Sequence, residues 1–245
     1  MNVSLIKKSL YLILFSRGKY FRKKMVPDSG GIFYLNGKKK KIIGEHYSSL
    51  LSEIVFRDVY ALKSLKQAQI RTIVDVGANI GVFSLWASIL FPASQLFAFE
   101  PNHTLIDVFK QNMAGIDSYE LLPMALSDTD GNAFLDISGS HTEAYLTASH
   151  NSGPDQINCD VMALDTFSKR LQAPIDLLKL DCEGSEYAIL FNSNLSGIRF
   201  IVGELHTTAH HTPADALKYL QQIGYLVSYT PQPNHKEGIF LARRV

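Results

Sequence analysis

The chain has 245 residues, of which 46% are hydrophobic and 19% charged, and its 24 Lys and Arg nearly balance its 23 Asp and Glu. This composition excludes a largely disordered chain, and the irregular glycine spacing excludes a collagen-like one. The net charge hides an asymmetry, since residues 1–66 carry 14 basic and 4 acidic side chains whereas residues 67–245 carry 10 and 19. Such a split predicts a basic end whose role is separate from that of the acidic body.

The basic end begins with residues 3–24, which contain seven Lys and Arg and no acidic residue. Their apolar residues recur near helical spacing, which predicts a helix with one apolar and one basic face. Such a helix either contacts an anionic membrane surface or covers the domain with its basic face in water. The longest apolar run, at 10–15, is too short to cross a bilayer, and no nucleic-acid-binding module is recognisable. Cys159 and Cys182 lie in apolar runs without a CxxC spacing, which predicts reduced core residues of a cytoplasmic protein. We expect no contact with nucleic acid and a peripheral site at the inner face of the membrane.

Two further elements are predicted before residue 70. Residues 32–35 and 38–43 flank Asn36-Gly37, a pair that suits the type I′ turn of a hairpin. Residues 45–66 place apolar side chains on one face, which predicts a helix. We expect residues 1–44 to form an appendage of helix and hairpin, and residues 45–245 to form the main domain.

From residue 70 onward, short apolar runs alternate with helical patterns. Strands are predicted at 72–76, 95–99, 119–124, 133–137, 157–162, 175–180, 200–202, 225–229 and 239–242, with a loop at 138–154. This alternation predicts an α/β fold with a mostly parallel sheet and helices on both faces. Ligands bind such sheets beyond the carboxyl ends of the strands, where Asp75, Glu100, Asp181 and Glu204 fall.

The most informative segment is Asp75-Val76-Gly77-Ala78-Asn79-Ile80-Gly81, at the end of the first of these strands. Glycines at such a place let the backbone turn tightly and approach a ligand. The spacing differs from the G-x-G-x-x-G of dinucleotide sites, so a nucleotide without a pyrophosphate fits better. Glu100 ends the next strand, where a carboxylate accepts hydrogen bonds from ribose hydroxyls. An NAD-dependent oxidoreductase and a non-catalytic cofactor-binding subunit of the same fold are the alternatives.

Four ordered segments resemble the FkbM family of class I S-adenosylmethionine-dependent methyltransferases. They are residues 75–81, 99–102, 125–128 and 178–186, and Gly203-Glu204-Leu205-His206 also resembles the end of that family's fifth strand. Cys182 and Ser185 are mild departures from the family pattern. The resemblance implies a Rossmann-like sheet of seven strands with the last antiparallel, and O-methylation of a hydroxyl of a glycan or related metabolite.

The same resemblance implies which residues bind the cofactor. They are Asp75, Gly77, Asn79, Gly81, Glu100, Asn102, Leu126 and Asp128. The glycine loop would line the methionine part of S-adenosylmethionine, Asp75 would reach its amino group directly or through water, and Glu100 would hold its ribose. The last three would border the adenine.

Methyl transfer to a hydroxyl needs alignment and removal of a proton, because the hydroxyl is a weak nucleophile. Asp181, Glu204 and His206 follow two neighbouring predicted strands and are the catalytic candidates. Asp181 or His206 would take the proton, or all three would hold a divalent metal ion that lowers the pKa of the hydroxyl. Glu186 falls at a helix start, where a carboxylate complements free N–H groups, and Lys179 on a buried strand is expected to pair with a carboxylate.

Overall fold

The computed structural model describes residues 30–137, 156–233 and 237–245, together with the backbone of short strands at 13–16, 19–22, 24–26 and 145–147. The N-terminal region contains strands β1 (Ile13–Ser16), β2 (Lys19–Arg22), β3 (Lys24–Val26), β4 (Gly30–Leu35) and β5 (Lys38–Ile42). β1 pairs with β2, and β3, β4 and β5 form an antiparallel sheet in that order.

The helix predicted over residues 3–24 is wrong where the structure describes this segment, because its described residues form strands. Their sequence contains β-branched and aromatic residues, including Ile13, Phe15 and Tyr20, which favour strands. Residues 1–12 lie outside the described part of the chain. The predicted hairpin is confirmed, since Asn36 (φ 48°) and Gly37 (φ 83°) join β4 to β5 in left-handed backbone.

The helix predicted over residues 45–66 is broken into three pieces. Helix α1 (Tyr47–Leu50) continues as a π-helical segment at Leu51–Arg57, and a 3₁₀ helix follows at Leu62–Leu65. Asp58 (φ 54°) and Ala61 (φ 53°) adopt the left-handed conformation between the second and third pieces. A helix cannot continue through such residues, so one apolar pattern spans three short elements.

The rest of the chain alternates strands with helices. The elements are β6 (Thr72–Val76), α2 (Val82–Leu90), β7 (Gln95–Phe99), α3 (Ile106–Asn112), β8 (Tyr119–Leu122), β9 (Ala125–Ser127), β10 (Gly131–Asp136), β11 (Tyr145–Thr147), β12 (Gln156–Ala163), α4 (Leu164–Arg170), β13 (Leu177–Leu180), α5 (Glu186–Asn192), β14 (Phe200–His206), α6 (Pro213–Gln222), β15 (Tyr225–Pro231) and β16 (Glu237–Arg244). None of the helices in the described residues is both long and apolar enough to span a membrane.

The central sheet has seven strands in the order β15-β16-β14-β13-β6-β7-β8. β16 runs antiparallel to both of its neighbours, and the other pairs are parallel. The predicted Rossmann-like sheet, with its last strand antiparallel, is confirmed. β6 lies near the middle of the sheet and is buried along its whole length, which places the glycine loop after it at the centre of the carboxyl edge.

Helices cover both faces of this sheet, as predicted. Ile73 of β6 belongs to one core cluster, which includes side chains of α2 and α3, while Val74 belongs to a second, which includes side chains of α4, α5 and α6. Successive residues of a strand point to opposite faces, so each strand divides its side chains between the two layers. Phe33 and Ile42 of the hairpin lie in the first cluster, so the hairpin packs directly on the main domain.

A second sheet, in the order β11-β10-β12-β9, stands beside the first. β10 and β12 confirm the strands predicted at 133–137 and 157–162. The predicted loop at 138–154 contains β11, and its other residues lie outside the described part of the chain. β9 follows β8 closely in the chain and brings Ala125 and Leu126 to the edge of the cleft described below.

Candidate active site

A cleft of about 690 Å³ opens at the carboxyl edge of the central sheet. Its walls come from the ends of β6, β7, β13 and β14 and from residues 46–60, which include helix α1 and the π-helical segment. Residues that carry its chemistry are Tyr60, Gly77, Asn79, Glu100, Leu126, Lys179, Asp181, Glu183, Glu204, His206 and Glu237. The carboxyl ends of parallel strands meet at one edge of a sheet, which brings these distant segments together.

The glycine loop forms the floor of the cleft. The backbone N–H groups of Gly77 and Ala78 donate to the Phe99 carbonyl at 3.1 and 3.0 Å, which ties the loop to the end of β7. Gly77 has φ 73°, and a Cβ there would overlap the carbonyl oxygen of Asp181. Only glycine allows this approach, so Gly77 sets the distance between the loop and the end of β13.

Glu100 stands beside this loop and is almost fully buried. Its Oε2 accepts a hydrogen bond from the Asn79 N–H at 2.7 Å, and its Oε1 accepts one from the Asn102 N–H at 2.8 Å. Burial raises the pKa of Glu100 to about 7, although the two backbone donors oppose the shift. Each carboxylate oxygen keeps a second lone pair, so Glu100 is oriented and still able to accept hydrogen bonds from two hydroxyls.

Four of the eight residues predicted to bind the cofactor line the cleft, namely Gly77, Asn79, Glu100 and Leu126. The other four predicted cofactor residues, Asp75, Gly81, Asn102 and Asp128, lie behind or beside it. Gly81 packs against the ring of Phe109, and the Asn102 backbone orients Glu100. Asp128 accepts hydrogen bonds from Asn192 and Ser127.

Asp75 has no exposed surface, and both oxygens of its carboxylate have partners beneath the glycine loop. Its Oδ2 accepts a hydrogen bond from the Ser84 hydroxyl at 2.6 Å, and its Oδ1 lies 3.1 Å from Lys179 Nζ. The Lys179 ammonium also donates to the carbonyls of Val76 and Gly77 at 3.1 and 2.6 Å. The ion pair predicted for Lys179 is confirmed. Asp75 does not line the cleft itself but positions Lys179, which in turn holds the glycine loop.

Asp181 reaches the cleft directly from the end of β13. Its Oδ2 accepts a hydrogen bond from the Tyr60 hydroxyl at 2.7 Å and lies 3.7 Å from Lys179 Nζ. Burial lowers the pKa of Lys179, but Asp75 and Asp181 outweigh it and raise the pKa overall. The ammonium is therefore charged at neutral pH and attracts Asp181 toward the floor.

His206 lies in a ring of carboxylates at the end of β14. Its Nδ1 is 3.4 Å from Glu186, and its Nε2 is 3.5 Å from Glu183 and 3.9 Å from Glu237. Burial lowers the pKa of His206, but Glu186, Glu183 and Asp181 together raise it to about 10. A protonated imidazole has no lone pair for a proton, so this geometry favours a carboxylate over His206 as the proton acceptor.

Glu186 has the structural role that its position at a helix start predicts. It is fully buried, and its carboxylate accepts the N–H groups of Cys182 and Gly184 at 2.9 and 2.7 Å. The turn between them contains Glu183 in left-handed backbone (φ 53°). Glu186 thereby holds the turn that carries Glu183 into the cleft.

Within the described residues, two groups of side chains are compact enough to hold a metal ion. They are Asp181 with Glu183 and His206, and Glu204 with His206 and Glu237, each with ligand atoms within 4.8 Å of one another. The predicted set of Asp181, Glu204 and His206 is not one of these groups. His206 belongs to both groups, whereas Asp181 and Glu204 belong to different ones, so the structure does not bring the three predicted ligands together as one set.

Comparison with known proteins identifies the family of this chain. The family model described as the Methyltransferase FkbM domain matches residues 75–227. The chain belongs to the FkbM methyltransferase family. It is therefore a methyltransferase that uses S-adenosylmethionine, which decides against the alternative of an NAD-dependent oxidoreductase.

Two curated relatives of this FkbM methyltransferase are similar over part of its length. Methyltransferase sdnD from Sordaria araneosa is 26% identical over 179 residues, which cover 58% of this chain and 69% of that protein. Methyltransferase 1 from Beauveria bassiana (strain ARSEF 2860) is 27% identical over 144 residues, which cover 48% of this chain and 56% of that protein.

Solved methyltransferase structures also resemble it. Precorrin-6y C5,15-methyltransferase from Geobacter metallireducens GS-15 has a TM-score of 0.44 and 17% identity, and the similarity covers 77% of this chain and 88% of that one. An rRNA methylase from Streptococcus thermophilus has a TM-score of 0.46 and 11% identity, covering 76% of this chain and 94% of that one.

Several cleft residues of this FkbM methyltransferase are not identified by sequence reasoning. The wall formed by residues 46–60 precedes the matched domain, and Tyr60 at its end is separated from Asp181 by 121 positions. Glu237 lies beside the cleft because β16 pairs with β14 and places Glu237 opposite His206. No local pattern marks these residues, because long-range packing alone brings them to the cleft.

Proposed function

We propose that this FkbM methyltransferase transfers the methyl group of S-adenosylmethionine to a hydroxyl of a glycan or a related metabolite. One observation carries the proposal. The carboxylates of Asp181 and Glu204, from the ends of adjacent strands, line the same cleft as Gly77 and Glu100. A cofactor held by the loop and an acceptor held by the carboxylates would therefore meet in one cavity.

The residues on the cofactor side suit a nucleoside that carries an amino-acid chain, as S-adenosylmethionine does. Glu100 has both oxygens oriented by backbone N–H groups and retains acceptor capacity for the two ribose hydroxyls. Gly77 and Asn79 offer backbone to the methionine part, and no side chain at Gly77 blocks that approach. Leu126, from β9, supplies an apolar surface for the adenine.

The residues on the acceptor side align a hydroxyl and accept its proton. When bound, S-adenosylmethionine supplies an activated methyl group, so its C–S bond breaks with the electron pair on sulfur as the new C–O bond forms. Burial and then Asp181 raise the pKa of Glu204 to about 7, a value that suits a general base at neutral pH. Glu204 would take the hydroxyl proton, while Asp181 orients the acceptor and His206 stabilises the charged carboxylates.

The polarity of the cleft supports a hydroxylated acceptor. Its lining includes the carboxyl groups of Glu53, Asp181, Glu183 and Glu237 in addition to Glu204. Carboxylates accept hydrogen bonds from the several hydroxyls that a sugar presents. An acceptor with many hydroxyls would satisfy these groups better than an apolar one.

Calorimetry and a labelled methyl group test this function. The full chain should bind S-adenosylmethionine, and with methyl-labelled cofactor and a glycan extract of the host cells it should form a product that mass spectrometry identifies as an O-methyl ether. Asp181→Asn and Glu204→Gln should each lower the transfer rate at least tenfold while cofactor binding persists. Asp160→Asn, an exposed carboxylate of β12, is the matched control. Label found only on nitrogen or carbon would overturn the assignment of a hydroxyl acceptor.

For the basic end, we propose contact with an anionic membrane surface at the inner face of the cytoplasmic membrane. Lys39 and Lys41 of β5 are exposed and pair across the hairpin with Tyr34 and Ile32. Cross-strand partners share a face of the sheet, so two ammonium groups stand beside an exposed aromatic ring. The strands therefore replace the predicted helix as the surface that would meet the lipid.

A further inference from the structure

We propose that Tyr60 is a positioning residue for methyl transfer and that it acts by fixing the carboxylate of Asp181. This inference rests on the function proposed above. Tyr60 lies before the matched domain, in the turn between the π-helical segment and the 3₁₀ helix. Its hydroxyl donates to Asp181 Oδ2 at 2.7 Å. A residue outside the family domain thereby holds a candidate residue of the cleft.

The hydrogen bond selects one oxygen of Asp181. Among the described residues, both Tyr60 and Lys179 approach Oδ2. The other oxygen, Oδ1, can therefore accept a hydrogen bond from the hydroxyl of the molecule to be methylated. A carboxylate held from one side presents the other oxygen in a fixed direction. Without the tyrosine hydroxyl, Lys179 at 3.7 Å would be the remaining group on Oδ2, and a point charge orients a carboxylate less strictly than a hydrogen bond.

The position of Tyr60 is itself well determined. Its side chain is 4% exposed, and its ring packs edge-on against Phe83 with 5.6 Å between centroids. The backbone turns through left-handed residues at Asp58 and Ala61 on either side of it, and the Lys63 N–H donates to Asp58 Oδ2 at 3.0 Å. The hydroxyl therefore reaches Asp181 from a rigid support.

The Tyr60 hydroxyl also stays protonated at neutral pH, and so remains a hydrogen-bond donor to Asp181. Burial and then the charge of Asp181 raise the pKa of Tyr60 well above its usual value. A neutral phenol beside a carboxylate has its proton directed to that carboxylate. The contact is thus a charge-assisted hydrogen bond, which is stronger and shorter than a neutral one.

Tyr60→Phe tests the proposal because it removes the hydroxyl and keeps the ring. The control is Tyr225→Phe, since Tyr225 is equally buried and its hydroxyl lies 2.9 and 2.8 Å from the Leu195 and Ile198 carbonyls, to which it can donate its one proton away from the cleft. With methyl-labelled cofactor and the glycan extract, Tyr60→Phe should lower the maximal transfer rate about tenfold. It should leave the cofactor dissociation constant within twofold, and Tyr225→Phe should leave both values unchanged. A rate for Tyr60→Phe within twofold of wild type would overturn the proposal.

The combination Tyr60→Phe/Asp181→Asn shows whether Tyr60 acts through Asp181. If it does, adding Tyr60→Phe to Asp181→Asn lowers the rate no further, whereas a tenfold further loss would assign Tyr60 an independent role and overturn the proposal. A crystal structure of Tyr60→Phe gives a second measurement that needs no acceptor. The Asp181 carboxylate should turn from its wild-type orientation, and an unchanged orientation would overturn the proposal even if the acceptor is not a hydroxyl.

Discussion

The buried ion pair between Lys179 and Asp75 gives the sharpest prediction about stability. Lys179→Met removes an ammonium that lies 3.1 Å from Asp75 Oδ1 and donates to two carbonyls of the glycine loop. The side chains are 3% and 0% exposed, so water cannot replace the lost partner. Removing one member of a buried pair costs about 3–5 kcal/mol, a large part of the roughly 5–15 kcal/mol by which a domain is stable.

Urea denaturation of three variants measures this effect. Lys179→Met should lower the free energy of unfolding by about 3–5 kcal/mol. Asp75→Asn/Lys179→Met also removes the uncompensated charge, so it should recover at least about 2 kcal/mol relative to the single variant. The control is Arg199→Met, which breaks the Arg199–Asp176 pair of 2.6 Å at a guanidinium that is 45% exposed. Because water reaches this pair, its loss should cost about 1 kcal/mol or less.

Two outcomes would contradict a stabilising charge interaction between Lys179 and Asp75. One is a Lys179→Met variant within about 1 kcal/mol of wild type, which would mean that Asp75 finds another partner or becomes protonated. The other is a double variant no more stable than the single one, which would assign the loss to packing of the aliphatic chain of Lys179 rather than to its charge.

The remaining predictions concern the cofactor, metal ions and the basic end. A carboxylate accepts hydrogen bonds from ribose hydroxyls more strongly than a protonated carboxyl group does. Because burial raises the pKa of Glu100 to about 7, calorimetry should show cofactor affinity falling as the pH decreases from 8 to 6. Glu100→Gln should bind at least tenfold more weakly with little pH dependence, and an unchanged affinity would exclude Glu100 from the ribose site. Since His206 is held protonated among carboxylates, EDTA should leave the methyl-transfer rate within twofold; loss of activity that Mg²⁺ restores would show metal assistance instead. Vesicles with anionic lipid should co-sediment the full chain, and Lys39→Glu/Lys41→Glu should weaken this at least tenfold, whereas equal sedimentation with neutral vesicles would refute the charge-based contact.

Patterns in the sequence predicted most of the central domain because its elements have local causes. The run from Ile73 to Val76 is apolar except for Asp75, and the glycines after it require a turn. Helix α6 begins at Pro213 with a capping box between Thr212 and Asp215, which is also a local feature. These signals do not depend on the rest of the chain.

The failures have a physical reason in common. The spacing of apolar residues in 3–24 matches a helix approximately, but strand pairing decides the described part of that segment. The apolar residues of 45–66 are buried as a helix would bury them, yet Asp58 and Ala61 turn the chain between two helical pieces. Propensity and periodicity are weak against tertiary contacts in such short segments.

The α/β fold, the glycine loop and the position of Glu100 could be predicted from local sequence patterns, because each follows from residues that are close together in the chain. Long-range packing is what places Asp75 beneath the cleft with Lys179, surrounds His206 with carboxylates, and brings the Tyr60 hydroxyl to Asp181. These contacts join strand ends and segments that are far apart in the sequence, and their charge states depend on burial that exists only in the folded protein.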